Sequence, residues 1–411
     1  MTPDFMRFVD KWLGVPLCLL ISAVERLLRP FARRILPAQV QKILIVQISE
    51  RGAVILGYSA QIKLKELFPR AELYYVIFEE MKESITLLGS IPESRIFTIS
   101  SRSLAGLFSS TLKMISALRR EKIDAVLDFE LFSRVSSILC CLSGAPIRVG
   151  FNKFHMEGLY RGSLHTHRVL YNHLKHISLN FLSLAYALKE DPGDLPMSKV
   201  KASAQDITIP RAVSTGEEKE RMLAKLKKLC PGIDNRQTIV VINPNGSELM
   251  PLRRWPAENY IALARRLLEH PSVHIVITGS RSERKDAGTI CDALGSSRCI
   301  NLAGETAFRE LIDLYNIAHL LVSNDSGPPN LASLTDIKTL VFFGPETPAC
   351  YKPLGENVEA LYADFLCSPC VSAYNHRRSA CRDNRCLKAI TVDEVVKKIE
   401  SLLPQLRDTG M

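Results

Sequence analysis

The sequence predicts an α/β protein built from two Rossmann-like, doubly wound domains facing a central cleft. Three observations carry that prediction. Short apolar strand runs alternate with helical stretches twice along the chain. A stretch rich in Pro, Gly and charge, Asp191–Asn235, separates the two series, and 411 residues suffice for two domains that each bury a core. Strands apolar on both sides fit a parallel sheet covered on both faces, and ligands of such sheets gather outside the carboxyl ends of the strands.

In the first series, Lys42–Ser49 (KILIVQIS) reads as a buried strand that breaks at Glu50-Arg51-Gly52 and leads into a helix over Val54–Leu67. Strands follow at Glu72–Phe78, Arg95–Ser100, Ala125–Phe129 and Ile147–Phe151, with helices over Leu104–Glu121 and Val135–Leu142. A further helix is expected over Asn172–Leu188. The interruption carries Pro192, Gly193, Pro196, Pro210, Pro231 and Gly232, with a charged helix over Glu217–Leu229. In the second series, strands at Thr238–Pro244, Val273–Ser280, Cys299–Gly304, His319–Asp325 and Thr339–Pro345 alternate with helices over Ala257–Glu269, Arg284–Leu294, Phe308–Ala318 and Pro329–Leu334. The expected organisation is an N-terminal segment 1–41, a first domain 42–205, a linker 206–235, a second domain 236–365, and a Cys-rich segment with a C-terminal helix over 366–411.

With 46% hydrophobic and 23% charged residues, the chain is neither disordered nor fibrous. Trp12–Val24 is a mostly apolar run flanked by Arg7 and Lys11 before and by Arg26, Arg29, Arg33 and Arg34 after. It ends in no small-residue cleavage site and is shorter than the roughly 18–20 apolar residues of a spanning helix. It is therefore expected to lie in one leaflet of an anionic membrane as an amphipathic or re-entrant segment, the alternative being a helix buried on the body of the protein. The formal charge of +10 favours anionic partners such as phosphates, nucleotides and acidic lipids. The odd and scattered set of eleven cysteines suits a reducing compartment.

The most informative motif is Asn324-Asp325-Ser326-Gly327-Pro328-Pro329, which follows a strand and opens a helix. Capping side chains, a glycine that admits close approach and prolines suited to a first turn make it either a phosphate seat or a plain helix cap. Gly344 in FFGP and Gly279 after VHIVIT end neighbouring strands, and Glu283 stands where a carboxylate takes ribose hydroxyls or merely starts a helix. Asn245 and the pair Arg253-Arg254 occupy the loop after Thr238–Pro244, and an Arg fork matches a diphosphate. Neither GxGxxG nor GxxxxGK[ST] is present, so NAD and ATP-hydrolysing readings lack their fingerprints. On the first domain, Glu130 ends a strand, Arg134 opens a helix, and Lys153–His176 holds five of the nine histidines with Lys153, Arg161, Arg168 and Lys175. That stretch reads as a mobile basic loop for a phosphorylated or lipid-linked ligand, or as a solvated loop. Cys367, Cys370, Cys381 and Cys386 have the spacing of a structural zinc or iron–sulfur site, with two disulfides or four free thiols as alternatives.

Together NDSGPPNLA, FFGPETP, INPNGS with RRWPAENYIALA, and VITGSRSER resemble the donor half of glycosyltransferase family 9, the ADP-heptose:lipopolysaccharide heptosyltransferases. KILIVQISERGAVILGYSAQIKLKELFPRAELYYV is similar to that family's opening strand, loop and helix, and the resemblance runs over about residues 42–400. It implies a GT-B fold, with 42–205 the acceptor domain and 236–365 the donor domain. It also implies inverting transfer from a nucleotide-diphosphate sugar to a lipopolysaccharide-type or other lipid-linked glycan, with no catalytic metal and no nucleic-acid partner. Such an enzyme works on the cytoplasmic face of the inner membrane as a peripheral or monotopic protein. By position, Arg253 faces the diphosphate where the family usually has Lys, and Asp325, Ser326 and Gly327 hold phosphate through backbone N–H groups. Gly52, Asn245, Gly279, Glu283 and Gly344 complete the expected donor side, and Arg134, Lys153 and Arg161 the acceptor side. Two departures stand out. Gly52-Ala53 replaces the family's Gly-Asp, whose Asp is the expected base, so Glu50 is the candidate replacement, with Glu130 second. Pro329-Asn330 replaces the common Met-His and leaves the donor sugar open. A GT-B sugar-nucleotide epimerase and a non-catalytic nucleotide-sugar-binding subunit are the alternative functions.

Overall fold

The computed structural model describes residues 8, 10–28, 30, 33, 35–48, 50–154, 158–192, 196, 199–246, 250–375 and 377–407. Of the residues singled out above, Arg7, Arg29, Arg34, Ser49, His155, Gly193 and Ser247 lie outside them. The chain divides into a first unit, residues 1–209 with 373–377, and a second, residues 210–372 with 378–411. The region expected to be a linker is thus mostly part of the second unit, because its helix packs there.

The first unit contains α1 (Gly14–Leu28), β1 (Lys42–Val46), α2 (Arg51–Leu56), α3 (Tyr58–Leu67), β2 (Glu72–Phe78), α4 (Lys82–Leu88), β3 (Ile96–Ile99) and α5 (Leu104–Glu121). β4 (Ala125–Asp128), α6 (Arg134–Leu142), β5 (Ile147–Phe151), β6 (His167–Val169) and α7 (Ile177–Ala187) follow. Its six strands are all parallel in the order β3-β2-β1-β4-β5-β6. The expected single helix after β1 is two. It starts early, at Arg51, and stops at Gly57, where an added Cβ would crowd Ala53 O and Phe129 at 3.3 Å. The helix expected from Asn172 begins only at Ile177, because the Asn180 side chain bonds the backbone of Asn172, Lys175 and His176 and holds them in a turn. Within the expected basic loop, His167–Val169 form β6, which pairs on β5.

α5 and α6 cover one face of this sheet: Met114, Leu118, Leu139 and Cys140 pack on Leu44, Val46, Val76 and Val126. α1 packs outside α6 through Cys18, Cys141 and Leu164. Beneath β4 and β5, fully buried Arg161 and Asp128 form an ion pair. Ser136 Oγ donates to the same carboxylate at 2.9 Å, and His165 Nε2 meets it at 3.2 Å. Gly150 is required here, since a Cβ would stand 2.5 Å from His165 Nε2.

The second unit contains α8 (Gly216–Leu229), β7 (Thr238–Asn243), α9 (Ala257–Leu268), β8 (Val273–Ile277), α10 (Arg284–Leu294), β9 (Cys299–Asn301), α11 (Phe308–Ile317) and β10 (Leu320–Asn324). It continues with α12 (Gly327–Ala332), β11 (Lys338–Phe343), α13 (Pro348–Tyr351), β12 (Val358–Tyr362), α14 (Arg385–Lys388) and α15 (Val392–Leu402). Its parallel sheet has the order β12-β11-β10-β7-β8-β9, which in chain order within the unit is the same 3-2-1-4-5-6 winding as the first. The edge strand β12 was not expected from sequence, because VEALY is short and partly exposed. α15, capped reciprocally by Thr391 and Glu394, closes the core with α9 and α10 over Val240, Ile242 and Ile275.

Burial holds the folded-state pKa values of His165 and His167 down to about 4, with neighbouring Arg161 adding to the effect on His165. Both then stay neutral in the fold, whereas the unfolded chain protonates them from about pH 6.5 downward. Stability is therefore fully present at pH 7 and should be lost as the pH falls through the window from about 6.5 to 4. Urea unfolding across that range should show the decline, and His167→Gln should flatten it; a flat wild-type profile would contradict the assignment.

Candidate functional site

Four neighbouring strands of the second unit, β11, β10, β7 and β8, end together, and the chain winding reverses between β10 and β7. That reversal is the usual ligand position of an open parallel sheet. Asn324, fully buried, spans it: its Nδ2 donates to Pro244 O at 2.9 Å and Asn245 O at 3.1 Å, and its Oδ1 accepts from Trp255 N at 2.8 Å. Trp255 is itself locked, its Nε1 donating to Ile390 O at 2.9 Å. This anchoring brings the preceding Arg253 to the strand ends. Its Nη2 lies 2.6 Å from Glu346 Oε1 and its Nε 3.5 Å from Asp325 Oδ2. Asp325 and Glu346 are both buried, so the guanidinium is held by two carboxylates from adjacent strand ends.

Ser326 caps α12 in an extended conformation, and a Cβ on Gly327 would meet open space. The first N–H groups of any helix lack intrahelical acceptors, which suits an anion beside Ser326 and Gly327. Asp325 is a correction, since its N–H donates to Phe342 O at 3.1 Å within the sheet. Its carboxylate, not its amide, faces this chemistry. α12 also starts two residues earlier than expected, with the prolines inside its first turn.

Gly279 does bring backbone close: a Cβ there would stand 2.7 Å from Asn245 Nδ2. Glu283 caps its own helix, its Oε2 accepting from Ser280 N at 2.7 Å and Ser280 Oγ at 2.8 Å. Gly344 serves packing, because a Cβ would meet Cys386 Sγ at 2.8 Å and Leu387 Cγ at 2.9 Å. Sequence reasoning missed Asn324 as a strut and Glu346 as the partner of Arg253. The Glu of FFGPETP was the available signal for the latter.

Cys367, Cys370, Cys381 and Cys386 line one cavity of about 270 Å³ with Leu252, Pro345 and Asn384. None of the four is joined in a disulfide. Asn384 Nδ2 donates to Leu252 O at 3.2 Å and Arg254 O at 2.8 Å, which joins this cavity to the Arg253 loop. No three of the four sulfurs are drawn within 4.8 Å of one another. Among the described residues the one such ligand trio is Asp128, Cys140 and His165, where the Arg161 guanidinium already takes the carboxylate.

In the first unit, Glu50 ends the β1 loop in a left-handed conformation, φ 69°, rare for a residue with a Cβ and costing of order 1–3 kcal/mol. Its carboxylate pairs with Arg377 and remains half exposed. Glu130 Oε1 accepts from Ile48 N at 2.8 Å, which ties the β4 end to the same loop, and Gly52 lies inside α2. Two expected acceptor residues are corrected. Arg161 is fully buried on Asp128, and Arg134 is buried on Asp10, with Nη1 to Oδ2 3.0 Å, so both hold the fold together and neither is available to a ligand. Lys153 is exposed.

The paired 3-2-1-4-5-6 sheets and a polar strand-end cluster on the second define a nucleotide-fold protein of GT-B type. The sequence pattern of glycosyltransferase family 9 (heptosyltransferase) matches residues 111–380, and the chain belongs to that family. It is 28% identical over 166 residues to lipopolysaccharide heptosyltransferase 2 of Salmonella typhimurium, covering 39% of this chain and 45% of the relative. It is 29% identical over 232 residues to lipooligosaccharide heptosyltransferase 2 of Haemophilus ducreyi, covering 54% and 62%. The chain thus spans about half the length of the curated relatives it matches. The fold likeness runs further: the structure of E. coli ADP-heptose lps heptosyltransferase II superposes with a TM-score of 0.67 at 20% identity, over 89% of this chain and 99% of that one.

Breaking a largely buried ion pair from one side leaves an uncompensated charge and costs about 3–5 kcal/mol. Arg253→Ala should therefore destabilise the second unit strongly and Glu346→Gln less. In a double-mutant cycle by chemical denaturation the two should couple by about 0.5–3 kcal/mol. Simple additivity would show that they do not meet in solution.

Proposed function

We propose that this chain is an inverting glycosyltransferase moving heptose or a related sugar from a nucleotide-diphosphate sugar to a lipopolysaccharide-type, lipid-linked glycan. Family membership supports the reaction class, and the heptosyltransferase names of the relatives support sugar and acceptor. The observation that carries the reading is Arg253, clamped between Asp325 and Glu346 at the sheet's reversal point. A guanidinium held there places a positive charge at the strand ends, which suits the diphosphate as negative charge builds on the leaving group. Helix-start amides at Ser326 and Gly327 share that charge.

Inversion needs a base on the acceptor hydroxyl, and Ala53 cannot serve. Glu50 takes the proton as the acceptor oxygen bonds to the anomeric carbon and the bond to the diphosphate breaks. Its carboxylate is half exposed, though paired with Arg377, whereas Glu130 holds the Ile48 amide. No catalytic metal enters this chemistry. The four cysteines would hold a structural zinc ion or iron–sulfur cluster, for which a soft all-thiol donor set lining one cavity is the fitting chemistry. Bound there, it would brace the loops that carry Arg253 and Glu346.

The enzyme works on the cytoplasmic face of the inner membrane, with α1 on the lipid surface. No described helix is long and apolar enough to cross a membrane.

A thermal-shift panel of nucleotide-diphosphate sugars identifies the donor, since a native-state ligand raises stability by RT ln(1 + [L]/Kd). With that donor, Glu50→Gln should lower transfer by about 10²–10⁴-fold and leave the donor shift intact. Near-normal transfer in the folded variant would remove Glu50 as the base. Donor turnover without acceptor would indicate an epimerase, and binding without turnover a non-catalytic subunit. Protein purified without chelator should carry bound metal or cluster that Cys381→Ser/Cys386→Ser loses; a metal-free, fully folded sample would end the cysteine assignment.

A further inference from the structure

The inner side of α1 is pinned to the first unit. Gly14, Cys18 and Ser22 are buried, Asp10 pairs with Arg134, and Glu25 Oε2 lies 2.6 Å from Arg148 Nη2. Close approach demands glycine at 162, φ 65°, where a Cβ would stand 2.2 Å from Ser22 Oγ. The outer side is a stripe of Leu13, Leu17, Leu20, Val24 and Leu27, spaced to lie along one line of the helix and exposed up to 75% at Leu27. A second outward patch stands on α5, where Leu104, Phe108 and Leu112 repeat every fourth residue and Phe108 is 70% exposed. α5 and α6 cover the same face of the sheet and α1 packs outside α6, so both patches belong to one side of the first unit.

Exposed cations stand beside both patches. Lys11 and Arg26 fringe α1, and Lys113 and Arg120 lie exposed on α5, while Arg33 is paired with Asp124 and the exposed Glu79 and Glu80 contact Arg102 and Ser101 just before α5. The acid of α1, Glu25, is turned inward onto Arg148, and the acid of α5, Glu121, is paired with Lys42. Large apolar side chains beside exposed cations, with the acids of both helices paired, are complementary to an anionic bilayer, where apolar groups enter the acyl boundary and cations meet headgroups. A chain of +10 strengthens that attraction.

We propose that the membrane-docking surface has two elements, α1 and the N-terminal half of α5, and that the first unit lies with its α5/α6 face against anionic lipid. This rests on the peripheral reading above, but its test needs no catalysis. Full-length protein is floated with phosphatidylglycerol/phosphatidylethanolamine vesicles and with neutral phosphatidylcholine vesicles. Wild type should float with the anionic vesicles and far less with the neutral ones. Leu20→Ser/Leu27→Ser and Phe108→Ser/Leu112→Ser should each weaken partition at least tenfold, with unchanged melting temperature, since these side chains are exposed. If only the α1 variant loses binding, α5 is not part of the surface and the inference fails while peripheral docking stands. If wild type binds no vesicle, both fail. If Phe108→Ser/Leu112→Ser instead disperses a concentration-dependent dimer, the α5 patch is a protein interface and the inference is overturned.

Discussion

The buried amide of Asn324 is the constraint on which the candidate donor side depends. Parallel strands end with backbone groups that the sheet no longer pairs, and each buried one left unmade costs about 1–3 kcal/mol. One side chain answers three of them across the reversal point: the carbonyls of Pro244 and Asn245 and the N–H of Trp255. With Trp255 fixed from the other side by Ile390, the loop between them has little freedom, and Arg253 is delivered to its two carboxylates. The C-terminal segment is therefore structural support for the strand ends: Asn384 holds the same loop and Cys386 packs under Gly344.

The first unit solves a different problem. Its β4 end carries a carboxylate into the interior, where an isolated charge is prohibitive. Asp128 is compensated by Arg161, Ser136 and a neutral His165, and the same arginine bonds Phe151 O at 2.9 Å and Ser133 O at 3.0 Å. That network anchors the segment leading to β6 and gives α1 a surface on which to pack. The strained Glu50 loop sits at the adjacent strand end, held through Glu130 and Arg377.

Much of this was legible in the residues. Apolar runs such as KILIV and TIVVIN placed β1 and β7 because a strand buried on both faces leaves no other pattern. Asn-Asp-Ser-Gly placed the turn into α12, because those residue types favour a chain turn after a strand. The misreadings share one cause. Arg161 sits in a charged, histidine-rich stretch whose local composition says solvent, and Arg134 opens a helix beside a strand end where composition says ligand. Local sequence carries no record of which carboxylate, sulfur or amide lies opposite.

By itself, then, the chain determined the two sheets, their winding class and the family, because hydrophobic periodicity and turn chemistry act over a few residues and survive without knowledge of the partner. Only the tertiary structure decided which charges are buried struts and which face outward, since an ion pair between positions such as 128 and 161, or 253 and 346, depends on long-range approach and desolvation that no local spacing encodes.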